Sequence, residues 1–299
     1  MKILTRGDMD GLMSAVLLTL VHPVKEIRFA HPKDVQDGKV PCTKEDIIVN
    51  LPFVPGCGLW FDHHVSEESK LDDIGRFEGR FEVAPSAARV VYNHYKRQQF
   101  DKFAEMLKET DRIDSAQLTL KDVTEPQGWI LLAYTLDPRT GLGPEFQKYF
   151  RWLVEFVKEV PLEKVLKHAE VKKRCDRVLQ EIDEHREFLK KASRRDGSVI
   201  ITDLRGQKEM PVGNRFLVYA MHPEATCEVR IHHGKGGATV NAAIGHSIFK
   251  RTSKVNIGEM CARYGGGGHR GAGTVQLAPA TAEAKLKEIV ATLKKNAPS

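Results

Sequence analysis

Asp8 and Asp10, in Gly7-Asp8-Met9-Asp10-Gly11, follow directly on the apolar run KILT. Two carboxylates held that close repel, and one must take up a proton unless a cation lies between them. A divalent metal resolves the repulsion; a plain Asp/Gly surface turn is the alternative. A second group, Asp62-His63-His64, closes the run GLWF. Imidazole with carboxylate selects a first-row divalent ion such as Mn²⁺, whereas oxygen ligands alone suit Mg²⁺. One imidazole can ligate, the other can polarise substrate, and Asp62 can orient a ring through its free nitrogen. A third group, Glu109-Thr110-Asp111-Arg112-Ile113-Asp114, ends an amphipathic stretch, so either Asp111 or Asp114 could face the cluster. The fourth is Tyr264-Gly265-Gly266-Gly267-Gly268-His269-Arg270-Gly271-Ala272-Gly273-Thr274. Four successive glycines let backbone amides approach an anion closely, and His269 and Arg270 add donors, the arginine in a geometry that matches phosphate.

The segments that must position these groups alternate in type. Strands are expected at 2–5, 24–30, 46–51 and 58–61, with a tight loop over 7–11 and a buried helix over 12–21. Such alternation predicts a parallel sheet with right-handed crossovers, whose functional loops leave the carboxyl ends of the strands. Asp8 with Asp10, Asn50, and Asp62-His63-His64 all fall at such ends, which points to one shared crevice. Pro85-Ser86 opens a helix over 84–95. An amphipathic stretch covers 100–114, and a long helical region over 145–191 breaks at Pro161. The tract KKASRRDGS at 190–198 reads as a linker. Beyond it come short strands (VIITDL, FLVYAM, CEVRIHH, ATVNAAIG), the glycine loop and a last helix over 280–295. Two domains, 1–190 and 195–299, are therefore expected. Cys42, Cys57, Trp60, Trp129 and Trp152 read as packing residues. The run 137–143, with Arg139, reads as a turn, and His232-His233 before Gly-Lys-Gly-Gly could add basic contacts in the second domain or mark a hairpin turn.

The 299 residues leave room for one large or two medium domains. With 41% hydrophobic and 29% charged residues, 24 Gly and 14 Pro, the chain is neither collagenous nor disordered. A net charge of +6 suits an anionic partner without demanding one. Five scattered cysteines with no C-x-x-C pair exclude a disulfide framework and a cysteine-based zinc site. The N-terminus reaches acidic residues before a leader's apolar core could form, and the apolar stretch at 12–21 covers only about half a bilayer. A cytoplasmic protein with no membrane partner is expected, with a homodimer as an open alternative to a monomer.

D-M-D-G near the N-terminus, the Asp62-His63-His64 triplet and the C-terminal GGGGHRGAGT together resemble the DHH/DHHA1 phosphoesterases. That family includes single-strand exonucleases, oligoribonucleases and enzymes acting on 3′-phosphoadenosine 5′-phosphate. The resemblance covers nearly the whole chain. It implies an α/β fold: a DHH domain with a parallel sheet flanked by helices, plus a smaller α+β DHHA1-type domain, with a cleft between them. It makes Asp8, Asp10 and His63 metal ligands, together with Asp111 or Asp114 and the position of Asn50. Asp62 and His64 would be catalytic, acting on substrate or behind the ligands. Gly266, Gly267, Gly268, His269 and Arg270 would hold the phosphate, with Asn241, His246 and Ser247 as further candidates. The implied cofactor is Mn²⁺, one or two ions, with Mg²⁺ as the alternative. In the two-metal scheme the implied nucleophile is a water shared between the ions.

Two positions depart from the family pattern. A His or Asp ligand precedes the D-x-D pair in the family, where this chain has Leu4, Thr5, Arg6 and Gly7. The shared aspartate at the end of the third strand is replaced by Asn50. Without that bridge, two cations about 3.5–4 Å apart repel each other. Arg6 brings positive charge to where a cation would sit, which makes it a candidate for direct contact with substrate phosphate. The expected function is metal-dependent hydrolysis of phosphodiester or phosphomonoester bonds in short oligonucleotides or small nucleotides. The alternatives are a catalytically degenerate nucleotide- or phosphate-binding protein and an exopolyphosphatase-like hydrolase.

Overall fold

The computed structural model describes residues 1–137, 141–207 and 213–295; Arg139 of the expected turn lies outside them. One sheet comprises β1 (Lys2–Thr5), β2 (Glu26–Phe29), β3 (Asp46–Val49), β4 (Leu59–Asp62) and β5 (Gly79–Phe81). Its order is β2-β1-β3-β4-β5, and every pairing is parallel, as the alternating pattern predicts. Successive side chains of a strand face opposite ways, and here both faces are buried. Ile3, Ile47, Val49 and Phe61 pack among Leu12, Val16 and Phe150 on one side. Leu4, Ile48 and Trp60 pack with Phe53, Phe77 and Phe81 on the other. That is why these strands read as continuous apolar runs rather than as an alternation.

The first helix is longer than expected. It spans Met9–Val21, because the Asp8 carboxylate caps it by accepting the Gly11 N–H at 2.9 Å. Asp10 therefore sits in the first helical turn and not in a loop. β3 stops at Val49, since Asn50 turns into the left-handed region at φ 58°. Ser86 caps the helix Ala87–Tyr95. The stretch expected over 100–114 divides into a 3₁₀ turn, Gln98–Phe103, and the helix Ala104–Asp114. The long helical region becomes Pro144–Glu159, Leu162–Lys167 and Ala169–Ala192, interrupted at Pro161 as expected.

A second sheet contains β6 (Ser193–Asp196), β7 (Val199–Asp203), β8 (Cys227–His233), β9 (Val240–His246), β10 (Gly267–His269) and β11 (Ala272–Leu277). Its order is β10-β11-β9-β8-β7-β6, antiparallel except for the β7–β8 pair. The helix Pro279–Lys295 buries Leu286, Ile289 and Leu293 in a core with Val199, Val229, Ile244 and Val275.

Three local expectations are overturned. Residues 190–198 are not a linker: the preceding helix runs to Ala192, and β6 then pairs with β7 through a turn at Gly197, φ 63°. FLVYAM is not a strand but the short helix Leu217–Met221, whose first turn is buried on adjacent residues Leu217, Val218 and Tyr219. The glycine cluster is not a free loop, since Gly267–His269 pairs in register with β11.

The chain divides into two compact units, Met1–Gln117 with Pro126–Val178, and Leu118–Glu125 with Leu179–Ser299. Among the described residues no helix is long and apolar enough to cross a membrane.

Candidate metal centre

Three side chains from three separate segments converge in the first unit. Asp10 comes from the first turn of the helix after β1, His63 from the residue after β4, and Asp114 from the last residue of the helix Ala104–Asp114. Each offers one ligand atom, and these atoms lie within 4.8 Å of one another. His63 Nε2 is 3.2 Å from Asp114 Oδ2 and 3.7 Å from Asp10 Oδ2. Its other ring nitrogen, Nδ1, lies 3.0 Å from the Ala84 carbonyl oxygen. A carbonyl only accepts, so Nδ1 carries a hydrogen, and the neutral ring presents the Nε2 lone pair to the carboxylates. Nε2 is buried and has no hydrogen-bond partner among the described residues.

Asp10 is 1% exposed and is fixed from behind. Its Oδ1 accepts the Ala88 N–H at 2.7 Å and its Oδ2 the Ala87 N–H at 2.9 Å. These are unsatisfied donors of the first turn of the helix Ala87–Tyr95, where negative charge is favoured. An unpartnered imidazole lone pair aimed between two carboxylates fits a divalent cation, and Asp10, His63 and Asp114 are the residues that would hold it.

The other candidates from the sequence are placed around this trio. Asp111 turns away: its Oδ2 accepts Arg89 Nε at 2.9 Å and Nη2 at 2.5 Å, and its Oδ1 accepts the Ser86 hydroxyl at 2.6 Å. Of the two acids in that segment, Asp114 is the one beside His63. Asp8 does not share a ligand position with the trio. Its Oδ1 accepts the Gly11 N–H and, at 3.0 Å, Asn50 Nδ2, and its Oδ2 faces Arg6 Nε at 3.1 Å. Asn50 is fully buried and serves Asp8 as a donor. Asp62, also fully buried, accepts His64 Nδ1–H at 2.8 Å. His64 is part-exposed, and its ring centroid lies 4.3 Å from that of His63.

In the second unit, Gly266 and Gly268 are required by packing. A Cβ on either would fall 2.1 Å from the Thr274 carbonyl oxygen and 2.2 Å from the Ala272 carbonyl oxygen, respectively. Gly267 faces open space, and His269 and Arg270 are exposed. His246 N–H donates to the Gly271 carbonyl at 2.9 Å, which brings His246 to the same end of the sheet. Burial pushes its imidazole below the ordinary value, with Arg270 and His269 adding to the effect. Asn241 is not brought there. It lies toward the other end of β9, opposite Gln276 and His232. Ser247 is buried and accepts the N–H groups of Phe249 and Lys250, closing a turn.

Burial raises the pKa of Asp10, helped by Asp8 and opposed by His63 and the two amides. Asp114 is held well above the ordinary carboxylate range, first by burial and then by Asp10 and Asp8. A carboxyl whose folded pKa is raised binds its proton more tightly in the folded chain. Its contribution to stability is therefore present at low pH and lost as pH climbs through the raised value. Metal-free protein is expected to lose thermal stability through this pair as pH rises above the unfolded carboxyl value of about 4, whereas the increase in Tm caused by Mn²⁺ grows over the same interval. Melting curves in chelator and in Mn²⁺ across that range check both slopes; a metal increment that shrinks with pH contradicts the assignment.

The chain matches no family model and no curated protein. Among solved structures, a pGpG-specific phosphodiesterase, PggH of Vibrio cholerae, is 35% identical, with a TM-score of 0.84 over 99% of each chain. This chain belongs to the DHH family of phosphoesterases. An exopolyphosphatase-related protein of Bacteroides fragilis shares the fold at 11% identity, with a TM-score of 0.52 over 98% of this chain and 91% of that one. So does the DHH domain of a member of the s1p family of ribosomal proteins, at 15% identity and a TM-score of 0.50 over 99% and 87%. As a DHH phosphoesterase the chain is a metal-dependent phosphohydrolase, with the α/β DHH domain and DHHA1-type second domain that its motifs imply.

Sequence reasoning missed the groups that hold this DHH centre from behind, the Ala84 carbonyl and the Ala87 and Ala88 amides, and the Ser86 and Arg89 donors that draw Asp111 away from it. Pro85-Ser86 did mark a helix start. That helix N-termini receive carboxylates is the signal that could have linked it to an aspartate far away in sequence.

Proposed function

We propose that this protein is a phosphodiesterase that cleaves short linear oligonucleotides, with linear diguanylate (pGpG) as its first substrate to try and Mn²⁺ as its ion. The observation that carries this reading is the 35% identity over 99% of each chain to a phosphodiesterase specific for pGpG. The mild positive charge of the chain supports an anionic substrate. Asp10, His63 and Asp114 hold the cation. When bound, the cation supplies Lewis-acid polarisation of a phosphoryl oxygen and acidifies a water molecule. Asp62 fixes the His64 ring by accepting its Nδ1–H, leaving the second nitrogen of a part-exposed imidazole to exchange a proton with the substrate's oxygen atoms. Of the glycine segment, Gly267, His269 and Arg270 are open to a phosphate of the substrate, with the guanidinium as the charged donor, whereas the Gly266 N–H is already given to the Cys261 carbonyl.

The test is incubation of purified chain and Mn²⁺ with pGpG, other dinucleotides, 3′-phosphoadenosine 5′-phosphate, cyclic dinucleotides and inorganic polyphosphate. The expected product of pGpG is GMP, formed faster than from the cyclic form. Turnover of polyphosphate with none of any dinucleotide overturns the reading.

A further inference from the structure

Resting on the phosphoesterase reading above, we infer that this centre takes a single divalent cation and that the Arg6 guanidinium supplies the second positive charge, directly to the phosphoryl group. Asp8 is the starting point. One oxygen accepts the Gly11 N–H at 2.9 Å and Asn50 Nδ2 at 3.0 Å, and the other faces Arg6 Nε at 3.1 Å. Two hydrogen-bond donors and one ion-paired guanidinium occupy this carboxylate, and the guanidinium never loses its proton. A cation ligated by Asp8 would have to displace that guanidinium or lie against it, and either is strongly unfavourable in a partly buried site.

Ligand geometry points the same way. Asp8 is paired with Arg6, and Asp62 gives its Oδ1 to His64 Nδ1–H while its buried Oδ2 has no hydrogen-bond partner among the described residues. Asp10 and Asp114 are the two carboxylates beside His63 Nε2, and one divalent ion matches their charge. The unpartnered lone pair of His63 Nε2 is aimed at those two. On the Asp8 side, the buried atoms without a hydrogen-bond partner among the described residues, Asn50 Oδ1 and Thr5 Oγ1, are uncharged. The other group of candidate ligands, Asp62, His63 and His64, draws on the same His63, and its Asp62 Oδ1 and His64 Nδ1 are already bonded to each other.

The Arg6 side chain is 30% exposed, so its outer face is open while Asp8 fixes its Nε. Arg6 follows β1 directly, two residues before Asp8 and four before Asp10, one of the three candidate ligands. A guanidinium so held donates to two phosphoryl oxygens at once and meets the charge that develops on them in the transition state. Arg6 is then a catalytic residue, and Asp8 and Asn50 position it.

The experiment is a calorimetric titration of the metal-free full chain with Mn²⁺, beside hydrolysis of bis(p-nitrophenyl) phosphate, for the parent, Arg6→Gln and Arg6→Lys. The parent is expected to bind one Mn²⁺ per chain. Arg6→Gln is expected to bind Mn²⁺ on the order of fivefold more tightly, because a neighbouring positive charge is gone, while kcat falls by about 10²- to 10³-fold. Arg6→Lys recovers part of kcat, which a merely structural role would not produce. Two Mn²⁺ per parent chain, or weaker Mn²⁺ binding in a folded Arg6→Gln, overturns the inference. Inactivity of the parent on every dinucleotide overturns only the substrate reading, because the ion count and the model diester do not depend on it.

Discussion

Replacement of His63 by alanine is expected to abolish retained metal and to lower phosphodiester hydrolysis by at least about 10³-fold, several kcal/mol of transition-state stabilisation. The effect is large because Nε2 is the one nitrogen among the three candidate ligand atoms of the trio, with its orientation fixed by the hydrogen bond from Nδ1–H to the Ala84 carbonyl. Removing it leaves Asp10 and Asp114 to share a cation without the imidazole that selects a first-row ion. The fold should survive, since the ring lies beyond the carboxyl end of β4 and its loss removes one hydrogen bond, about 1 kcal/mol. Metal content after gel filtration and turnover of the same sample check the claim. A folded His63→Ala that keeps its metal and loses less than tenfold in rate contradicts it.

Gly11→Ala is expected to damage stability and activity together. A Cβ at Gly11 would lie 2.1 Å from the Arg6 carbonyl oxygen and 2.8 Å from Thr5 Oγ1, where the helix Met9–Val21 packs on the end of β1. Backbone on one side and a fully buried hydroxyl on the other cannot yield, so the turn carrying Arg6, Asp8 and Asp10 must move. Overpacking of this kind costs about 1–3 kcal/mol, and a displacement near 1 Å at a reacting centre costs about 10²-fold in rate. Gly206→Ala is the control: its Cβ would meet nothing within 4 Å, and a change of at most about 0.5 kcal/mol is expected. Denaturant midpoints for the two variants, with turnover for Gly11→Ala, check this. Equal stability of Gly11→Ala and parent rules out the close approach.

The parallel sheet was legible because its strands are apolar runs ended by polar residues, and those ends carry Asp8, Asp10 and Asp62 through His64. What the pattern could not show was how the acids divide their work. Asp111 and Asp114 are three residues apart on one helix and nearly share a face. Only the arrival of Arg89 and Ser86 beside Asp111 separates them. The glycines of Gly7-Asp8-Met9-Asp10-Gly11 suggested a loop, whereas Asp8 caps a helix that already includes Asp10. Residues 190–198 are polar because β6 is an edge strand, which needs backbone partners but no apolar face. FLVYAM shows the limit of periodicity, since a short apolar run fits a strand and a buried helical turn equally well. The glycine cluster pairs through its backbone, a contact that leaves no side-chain pattern to read.

Crystals grown with Mn²⁺ and measured on both sides of the manganese absorption edge test the central claim most directly. The expected result is one anomalous peak per chain, ligated by carboxylate oxygens of Asp10 and Asp114 and by His63 Nε2, with Asp8 still paired to Arg6. A peak ligated by Asp8 or Asn50, or no density between Asp10, His63 and Asp114, would contradict it.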